Sequence, residues 1–461
     1  MRKIILAILI AFTWQVSAQE KALIEKPIVD ERIELIGIVF RLAGNSEYNH
    51  DFMELYANRI DAHFAPYKNH ELILFAKILR NEKGISYDAP MSLAISLDDN
   101  LNPLTEIDLA RWDKEDALAF LRLLKSFYVD ARCEVFFNQN KELYQKIIDS
   151  FSSVYQDFDL NWYSTFYGNE PAEKFKIVIA PVNGGNCYGP SFIDANERKE
   201  VYAIMGVWDL DSVGIPVFAI DDYLPIIIHE FNHSFVNPLL EKNEPLFKNS
   251  GEKIYEAMQY EMSVQQAYGN WETVLNEALV RASVIKYYKD HKAEQSVIDN
   301  LVQMEMNNGF IWIKELIKEL DNYEKDRNEY PNLEAYMPQL AKAYHVYAEQ
   351  VEKFDMQRPR VTSIDEFENG NVNVSTAIKT ITIHFDKALA GMGYSVFYGE
   401  KGKEAFPKHN NIQYINDNKA IQLEVELEAD KEYQFVLTGK NFKTPDGYAL
   451  KTYDVNFKTE K

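Results

Sequence analysis

The sequence contains an HExxH motif, His229-Glu230-Phe231-Asn232-His233, and this motif carries the clearest chemical signal in the chain. Two histidines four residues apart lie one turn apart on the same face of a helix, so both imidazoles could bind one Zn²⁺ ion. Glu230 lies beside them and could take a proton from a water molecule held by that metal. The motif therefore predicts metal-assisted hydrolysis, most often of a peptide bond.

The residues that flank the motif predict a helix. Asp221 and Asp222 are N-cap candidates, Pro225 falls in the first predicted turn, and Asn237-Pro238 would end the helix. Apolar residues recur between these ends with helical spacing, at Leu224, Ile227, Ile228, Phe231 and Phe235. Two histidines and a glutamate on a largely buried helix would be costly without a partner, which favours a metal site over a chance match.

A catalytic zinc needs a third protein ligand and one open position. The run Asn276-Glu277-Ala278 lies in a stretch of helical period, with Glu277 inside the apolar stripe, where a carboxylate needs a metal or a positive partner. This run looks like the one in the gluzincin class of metallopeptidases, in which a downstream helix supplies a glutamate ligand. The resemblance implies that His229, His233 and Glu277 hold Zn²⁺.

Other glutamates compete for the role of third ligand. Glu252, Glu256 and Glu261 lie nearer to the motif, and a gap of 18 residues separates His233 from Glu252. However, Glu252 lies in a stretch that is typical of a polar helix start. Glu272 is a further candidate, but its position is typical of an exposed acid in the first turn of a helix.

Arg281 departs from the gluzincin pattern. It stands four residues after Glu277, where that class often has an aspartate that orients a zinc-bound histidine, so other residues must provide this support. An ion pair with Arg281 is the alternative role for Glu277. The class usually adds a His or Tyr that stabilises the oxyanion. The sequence leaves this role open among Tyr188, Tyr255, Tyr260, Tyr268, Tyr330 and Tyr336.

The amino terminus predicts export. The chain opens with Met1-Arg2-Lys3, continues with the uncharged run 4–12 and reaches Val16-Ser17-Ala18. This is the pattern of a cleavable signal peptide over residues 1–18, and its apolar run is too short for a membrane span. The residue directly after the predicted cleavage site is Gln19, not a cysteine. We therefore expect a periplasmic or extracellular protein that is neither a lipoprotein nor inserted in a membrane.

Composition limits the partners. The formal net charge of -22 argues against binding to nucleic acids and to anionic membranes. The predicted partner is a peptide or protein substrate. Cys133 and Cys187 are the two cysteines of the chain. An oxidising compartment would allow one bridge between them, and neither has the spacing of a metal ligand.

The remaining pattern divides the chain into three regions after the signal peptide. Region 19–170 is predicted to be mainly helical, with helices over 51–64, 70–82, 114–128 and 141–156 and a helix or strand over 35–42. In region 171–358, predicted strands over 175–180, 200–205 and 217–220 precede the motif helix, and a glycine-rich loop over 181–190 either rims a cleft or merely connects strands. Helices over 296–321 and 334–354 follow. In region 361–461, alternating apolar and polar residues predict strands over 381–385, 394–398, 421–427, 433–437 and 453–458.

Residues 25–350 resemble a family of uncharacterised secreted bacterial proteins with a gluzincin-like motif, described as a domain of unknown function. The resemblance rests on residues 34–44, 229–238 and 276–282. It implies an α+β, zincin-like (gluzincin) metallopeptidase core, mainly helical with a small antiparallel sheet. The strands over 361–461 look like a separable Ig-like β-sandwich of the kind appended to secreted bacterial enzymes.

The predicted function is that of a secreted zinc-dependent metallohydrolase, a peptidase, with Glu230 as general base. The alternative is a non-catalytic binding or surface-interaction protein on a zincin scaffold. An open coordination position on the metal would favour the enzyme, and a closed site with four protein ligands would favour the alternative.

Overall fold

The structure is a computed structural model, and the residues it describes are 24–169, 173–262 and 268–461. The predicted signal peptide, residues 1–18, lies outside the described residues. The chain divides into two compact units. Unit one contains the described residues up to Phe151 and those between Asn169 and Val217, and unit two contains Ser152–Asn169 and Val217–Lys461. Helices make up about half of the chain.

Unit one combines six helices with a three-stranded sheet in its described part. Its elements are α1 Glu31–Leu42, α2 Glu54–Phe64, α3 Glu71–Lys83, α4 Asp88–Ile95, α5 Lys114–Asp130, α6 Cys133–Ser150, β1 Lys174–Ile179, β2 Ser191–Ile193 and β3 Lys199–Met205. The predicted helices over 51–64, 70–82 and 114–128 are confirmed as α2, α3 and α5. The segment over 35–42, whose sequence is compatible with a helix or a strand, belongs to α1. The helix predicted over 141–156 is divided, because α6 begins at Cys133 and ends at Ser150.

The sheet of unit one differs from the antiparallel arrangement expected from the sequence. The strands predicted over 175–180 and 200–205 are confirmed as β1 and β3, but they pair in parallel, from Lys174 opposite Glu200 to Ile179 opposite Met205. Only β2 pairs with β3 in the antiparallel sense. The central strand β3 is therefore covered on both edges, and its residues from Val201 to Met205 are buried, as is usual for a strand in a parallel pair.

The glycine-rich loop between β1 and β2 packs against the start of unit one. Gly184 has a φ of +55°, and a Cβ at this position would lie 2.6 Å from the Cβ of His50. Glycine is therefore required both by the backbone conformation and by the close approach. Cys187 lies in the same loop, and no disulfide joins it to Cys133 at the start of α6.

Unit two contains the remaining elements. They are α7 Ser152–Asp157, α8 Asn161–Tyr167, α9 Ile220–Lys242, α10 Glu244–Met262, α11 Trp271–Asp290, α12 Gln295–Asn307, α13 Ile313–Lys325, α14 Leu333–Gln357, β4 Val361–Ile364, β5 Thr380–Phe385, β6 Val396–Tyr398, β7 Lys408–Ile415, β8 Ala420–Glu426, β9 Glu432–Leu437 and β10 Tyr453–Lys458. The predicted helix over 334–354 is confirmed as α14, and the helix predicted around Glu277 is confirmed as α11.

Two predictions in unit two are wrong. The strand predicted over 217–220 is absent, because Ile220 is the first residue of α9 and Ala219 is an extended N-cap residue. The single helix predicted over 296–321 is broken between α12 and α13. Gly309 has a φ of +101° there, and the backbone N–H of Phe310 bonds the carbonyl of Glu305. This left-handed glycine ends α12, as glycines commonly do after the last turn of a helix.

The carboxyl-terminal strands form two antiparallel sheets, with the orders β4-β5-β8-β7 and β10-β9-β6. The strands predicted after residue 361 are confirmed as β5, β6, β8, β9 and β10, whereas β4 and β7 were not predicted. Side chains from both sheets share one buried core that includes Ile383, Leu423, Phe435 and Val455. Alternation of apolar and polar residues explains this core, because every second side chain of a strand points to the same face.

Candidate metal centre

The HExxH motif lies in the middle of α9, as the sequence predicts, but the ends of the helix differ from the prediction. The helix begins at Ile220, so Asp221 and Asp222 lie in its first turn, where their charges favour the positive end of the helix dipole, and Pro225 is an interior residue. Pro238 does not end the helix, which continues to Lys242.

The extension of α9 beyond Pro238 has a local cause. A proline removes one backbone hydrogen bond, but the following turn is held by the buried side chain of Leu240. The side chain of Asn243 also donates a hydrogen bond of 2.8 Å to the carbonyl of Leu239. Packing and this cap outweigh the single lost bond, so the stop that a proline usually indicates does not occur.

Aromatic residues of α8 support the motif helix. The hydroxyl of Tyr163 donates to the carbonyl of Ile228 at 3.2 Å, and the hydroxyl of Tyr167 donates to Oδ1 of Asn232 at 2.8 Å. The rings of Tyr167 and Phe235 are stacked at 4.5 Å. Asn232, between the two histidines of the motif, is fully buried. These contacts fix the rotation of α9, and hence the direction in which both histidines point.

The structure brings His229, His233 and Glu277 together. The Nε2 atoms of the two histidines are 3.2 Å apart. Oε1 of Glu277 lies 3.4 Å from Nε2 of His233, and Oε2 lies 3.6 Å from Nε2 of His229. One potential ligand atom from each residue lies within 4.8 Å of the others, and no other such group of His, Cys, Asp and Glu occurs within the part of the chain that the structure describes.

Glu277 reaches the histidines because α11 packs closely against α9. The side chain of Asn270 caps the start of α11 by accepting a hydrogen bond of 2.8 Å from the backbone N–H of Thr273. Ala278 and Ala282 are fully buried on this helix. The side chain of Glu277 is about one-seventh exposed, at 14%.

Arg281 holds the other side of the Glu277 carboxylate. Its Nη2 lies 3.0 Å from Oε2 of Glu277, and its Nη1 lies 2.8 Å from Oε2 of Glu305. It also donates to the hydroxyl of Tyr268 at 2.9 Å and lies over the ring of Phe310. The ion pair that the sequence offered as an alternative role for Glu277 is therefore present together with the approach to the histidines.

The charges of the cluster favour an ionised Glu277. Burial opposes the charged form of this carboxyl, but His229, Arg281 and His233 outweigh that effect and lower its pKa. Burial also lowers the pKa of His229 to about 3, despite the opposing effect of Glu277. Neutral imidazole nitrogens and an ionised carboxylate are the forms of these side chains that bind metal ions.

Glu230 occupies a different environment from Glu277. It is one residue after His229 on α9 and half-buried. Burial, reinforced by the negative charge of Glu277, raises its pKa to about 8, while Arg281 acts in the opposite direction. A carboxyl group with such a pKa can both accept and release a proton near neutral pH, which is the property of a general acid–base residue.

Among the competing glutamates whose side chains the structure describes, none joins the cluster. Glu252 is an exposed residue in the middle of α10, not at a helix start, and Glu272 is exposed at the beginning of α11, as predicted. Glu256 also lies on α10, and the side chain of Glu261 is outside the described residues. His384 lies far from the motif in sequence and pairs with Asp365 at 2.9 Å in the carboxyl-terminal sheets.

Among the tyrosine candidates, Tyr268 contacts the cluster through Arg281. Tyr330 and Tyr336 instead pack against each other, and the hydroxyl of Tyr336 donates to Glu319. Tyr188 belongs to unit one, and the side chain of Tyr260 lies outside the described residues.

Sequence reasoning missed Asn237 and Glu305. Oδ1 of Asn237 lies 3.2 Å from Nδ1 of His233, one turn further along α9, and can accept the imidazole proton. That spacing of four residues was visible in the sequence. Glu305 gave no local signal, because it reaches Arg281 from the separate helix α12.

The chain belongs to the family described as Domain of unknown function (DUF4932), whose model matches residues 27–343. This agrees with the resemblance found in the sequence over nearly the same range. The match includes every residue of the cluster, from His229 to Glu305. A comparison with curated proteins finds no match.

Solved structures of the bacterial S-layer protein SbsC are only weakly similar to this chain. Its N-terminal part is 13% identical over 52% of this chain and 58% of that chain, with a TM-score of 0.18. A structure of its domains 1–6 is 14% identical over 51% and 33% of the two chains, also with a TM-score of 0.18. This chain spans less than two thirds of either, and such scores do not establish a shared fold. Among the described helices, none has the length and apolar character that a membrane span needs.

Proposed function

We propose that the protein is a zinc-dependent metallohydrolase that cleaves peptide bonds. The observation that carries the proposal is the triangle formed by Nε2 of His229, Nε2 of His233 and the carboxylate of Glu277, with separations of 3.2, 3.4 and 3.6 Å. Ligands that bind one Zn²⁺ at about 2.0–2.1 Å with tetrahedral angles are about 3.3 Å apart. The three side chains already have this spacing.

The donor set also fits zinc in its chemistry. Two imidazole nitrogens and one carboxylate are the three protein ligands of many catalytic zinc sites, and three ligands leave a position for water or substrate. A zinc ion bound there would polarise the scissile carbonyl and make a water molecule more acidic. Without a cation, two ring nitrogens at 3.2 Å would face each other with their lone pairs unless one ring carried the proton between them.

Glu230 is the proposed general base. It follows His229 directly on α9, it is half-buried, and its pKa is raised to about 8 by burial. It would accept the proton of the attacking water and pass that proton to the leaving amine. Arg281 would keep Glu277 ionised and in place, while Asn237 would hold His233 with its Nε2 directed at the metal.

The test compares wild-type protein with Glu230→Gln. Purified mature protein should contain one zinc per chain by elemental analysis and should hydrolyse peptides of a mixed library detected by mass spectrometry. Glu230→Gln should retain the zinc and lose about 10²- to 10⁴-fold in rate, the contribution typical of a general base. Glu241→Gln, which changes the same residue type near the end of α9, is the matched control and should leave the rate unchanged.

Two outcomes would contradict the proposal. The first is wild-type protein that folds but contains no stoichiometric zinc after growth with added zinc. This result would rule out the proposed metal site. The second is a Glu230→Gln protein that hydrolyses peptides at the wild-type rate. This result would rule out Glu230 as the general base, even if zinc is bound.

We also propose a fold class and a location for the protein. We infer a zincin-like arrangement around α9 and α11, an Ig-like β-sandwich over 361–461 and export to the periplasm or the extracellular space after removal of residues 1–18. The two sheets around one core support the sandwich. The amino-terminal sequence pattern supports export. Mass spectrometry of the exported protein should find Gln19 as its first residue.

A non-catalytic binding protein on the same scaffold is the second candidate, and one observation favours it. Arg281 already neutralises Glu277 through a contact of 3.0 Å, so the carboxylate does not depend on a metal for a positive partner. This candidate predicts that protein with one bound zinc per chain cleaves no member of the peptide library. Cobalt substitution followed by absorption spectroscopy would then show a closed site with four protein ligands.

A further inference from the structure

Unit two contains a second candidate site, a cavity of about 510 Å³ whose lining includes none of His229, His233 and Glu277. It lies where the carboxyl end of α12 and the end of α14 meet the loops between the carboxyl-terminal strands. Its volume is in the range of about 300–1,000 Å³ that is typical of sites for small molecules. The metal-dependent function proposed above gives this cavity no role.

The charges around the cavity oppose those of the whole chain. Arg358, Lys440, Lys443 and Lys451 line it, and no acidic residue occurs among the described residues that do so. The chain as a whole carries 71 acidic and 49 basic residues. A cavity lined by basic residues alone is therefore not a consequence of the average composition, and a low-dielectric pocket concentrates its positive potential.

Arg358 is buried and Lys443 is half-buried. Arg358 is only 4% exposed and donates to the carbonyl of Ala449 at 3.2 Å. Lys443 donates to the carbonyl of Asn307 at the end of α12. Burial alone lowers the pKa of the Lys443 ammonium to about 8, so no neighbouring carboxylate offsets the cost of its charge.

Asp355, an acidic residue outside the cavity lining, is shared among several cations. Asp355 pairs with Lys451 at 2.6 Å and with Nε of Arg358 at 3.4 Å, and it also contacts Arg360. One carboxylate thus faces three positive side chains. Lys440 and Lys443 form no ion pair with any described residue, so the positive charge around the cavity exceeds the negative charge.

The other residues that line the cavity supply apolar surface and amide groups. Ala257, Ala390 and Leu450 supply apolar surface, while Asn308 and Asn441 supply amide groups. Such a wall can bury the body of a ligand and still orient its polar atoms. We propose that this cavity binds a small organic anion, with Arg358, Lys440 and Lys443 receiving a carboxylate or phosphate group and the apolar wall receiving the rest of the molecule.

The test is calorimetric titration of the full chain at low salt with three probes: phenylacetate, phenyl phosphate and the uncharged phenylacetamide. At least one anion should bind once per chain, and phenylacetamide should bind at least about tenfold more weakly, because a charge-assisted hydrogen bond is lost. The two anions distinguish a carboxylate site from a phosphate site. Failure of both anions to saturate below about 10 mM would overturn the proposal.

Variants locate the binding. Lys443→Gln should weaken anion binding by about tenfold or more. Lys408→Gln is the matched control, because Lys408 is an exposed lysine of β7 paired with Glu426. Equal weakening in both variants would mean that surface charge, not the cavity, attracts the anion. If Lys443→Gln does not fold, Lys440→Gln replaces it as the variant that should weaken anion binding, because Lys440 is at an exposed position.

One further variant separates this site from the proposed metal centre, because carboxylates and phosphates also bind to zinc. The titration is repeated with His233→Ala, which removes one proposed ligand. Unchanged anion binding in this variant is expected. If binding disappears with His233 while Lys443→Gln has no effect, the anion binds at the metal motif and the cavity proposal fails.

Discussion

Oδ1 of Asn237 lies 3.2 Å from Nδ1 of His233, so that an amide on the next turn of the same helix can accept the imidazole proton. With the proton on Nδ1, Nε2 of His233 can accept a metal ion, and this atom faces His229 and Glu277. Metal-binding histidines in proteins almost always have such a partner on their other ring nitrogen. In the proposed metal site, Asn237 would take the supporting role that the position of Arg281 cannot fill.

Replacing Asn237 by alanine should weaken zinc binding by about 10- to 100-fold, because His233 would lose the partner that fixes its tautomer and orientation. Zinc affinity is measured by competition with a chromophoric chelator. Asn237 is exposed, so the fold should be unaffected, which circular dichroism checks. Asn237→Asp keeps an acceptor and should restore most of the affinity. Equal affinities in Asn237→Ala and wild type would rule out the supporting role.

Replacing Glu277 by glutamine should lower zinc affinity by more than the loss of a supporting residue does, that is, by more than about 100-fold. Glutamine keeps the size of the side chain but removes the charge that faces His229, His233 and Arg281. Glu272→Gln is the matched control, because Glu272 is an exposed glutamate on the same helix. Similar zinc affinities in the two variants would show that Glu277 is not a ligand.

The pH dependence of stability should reveal the buried carboxyl group of Glu34, a residue of α1 that is fully buried. Burial raises its pKa from 4.5 to about 8, against weaker opposing effects of the Tyr56 hydroxyl and the Val182 N–H. The folded state therefore binds this proton more tightly than the unfolded state does. The corresponding stability is present below about pH 4.5 and is lost as the pH rises towards 8.

Glu34→Gln should remove this loss. Between pH 5 and pH 8.5, the free energy of unfolding of the wild type should fall relative to that of the variant by an amount on the order of 3–5 kcal/mol. Urea denaturation at both pH values measures the difference. Glu54→Gln, at an exposed position of α2, controls for the loss of one surface charge. Parallel stability profiles for wild type and Glu34→Gln would contradict the prediction.

A chain that ends at Arg358 should retain its zinc, since His229, His233 and Glu277 all precede that residue. It should nevertheless unfold more easily. The truncation removes Lys443, which bonds the carbonyl of Asn307 at the end of α12, and the carbonyl of Ala449, which accepts from Arg358. Elemental analysis and thermal denaturation followed by circular dichroism measure the two effects. Loss of zinc from a truncated chain that is still folded would show that residues 361–461 contribute to the site.

The helix that carries the motif could be predicted from local pattern alone. Apolar residues with helical period from Leu224 to Phe235, together with the spacing of His229 and His233, depend only on neighbours within a few turns. The same is true of α11 and of the alternating strands of the carboxyl-terminal sheets. Helix ends were less predictable, because α9 continues past Pro238, where Leu240 packs and Asn243 caps the last turn.

The sequence by itself determined which side chains could do the chemistry, namely two histidines and Glu230 at fixed spacing, with Glu277 in an inward-facing stripe of a later helix. Only the tertiary structure decided which carboxylate meets the histidines, because Glu277 and its rivals differ in the packing of α11 and α10, not in residue type. It also decided that Arg281 pairs with Glu277 and Glu305 at once. The spacing of four residues already indicated the pair of Arg281 with Glu277, but Glu305 is distant in sequence from Arg281, and Glu277 is distant from both histidines. Local periodicity contains no information about such distant contacts.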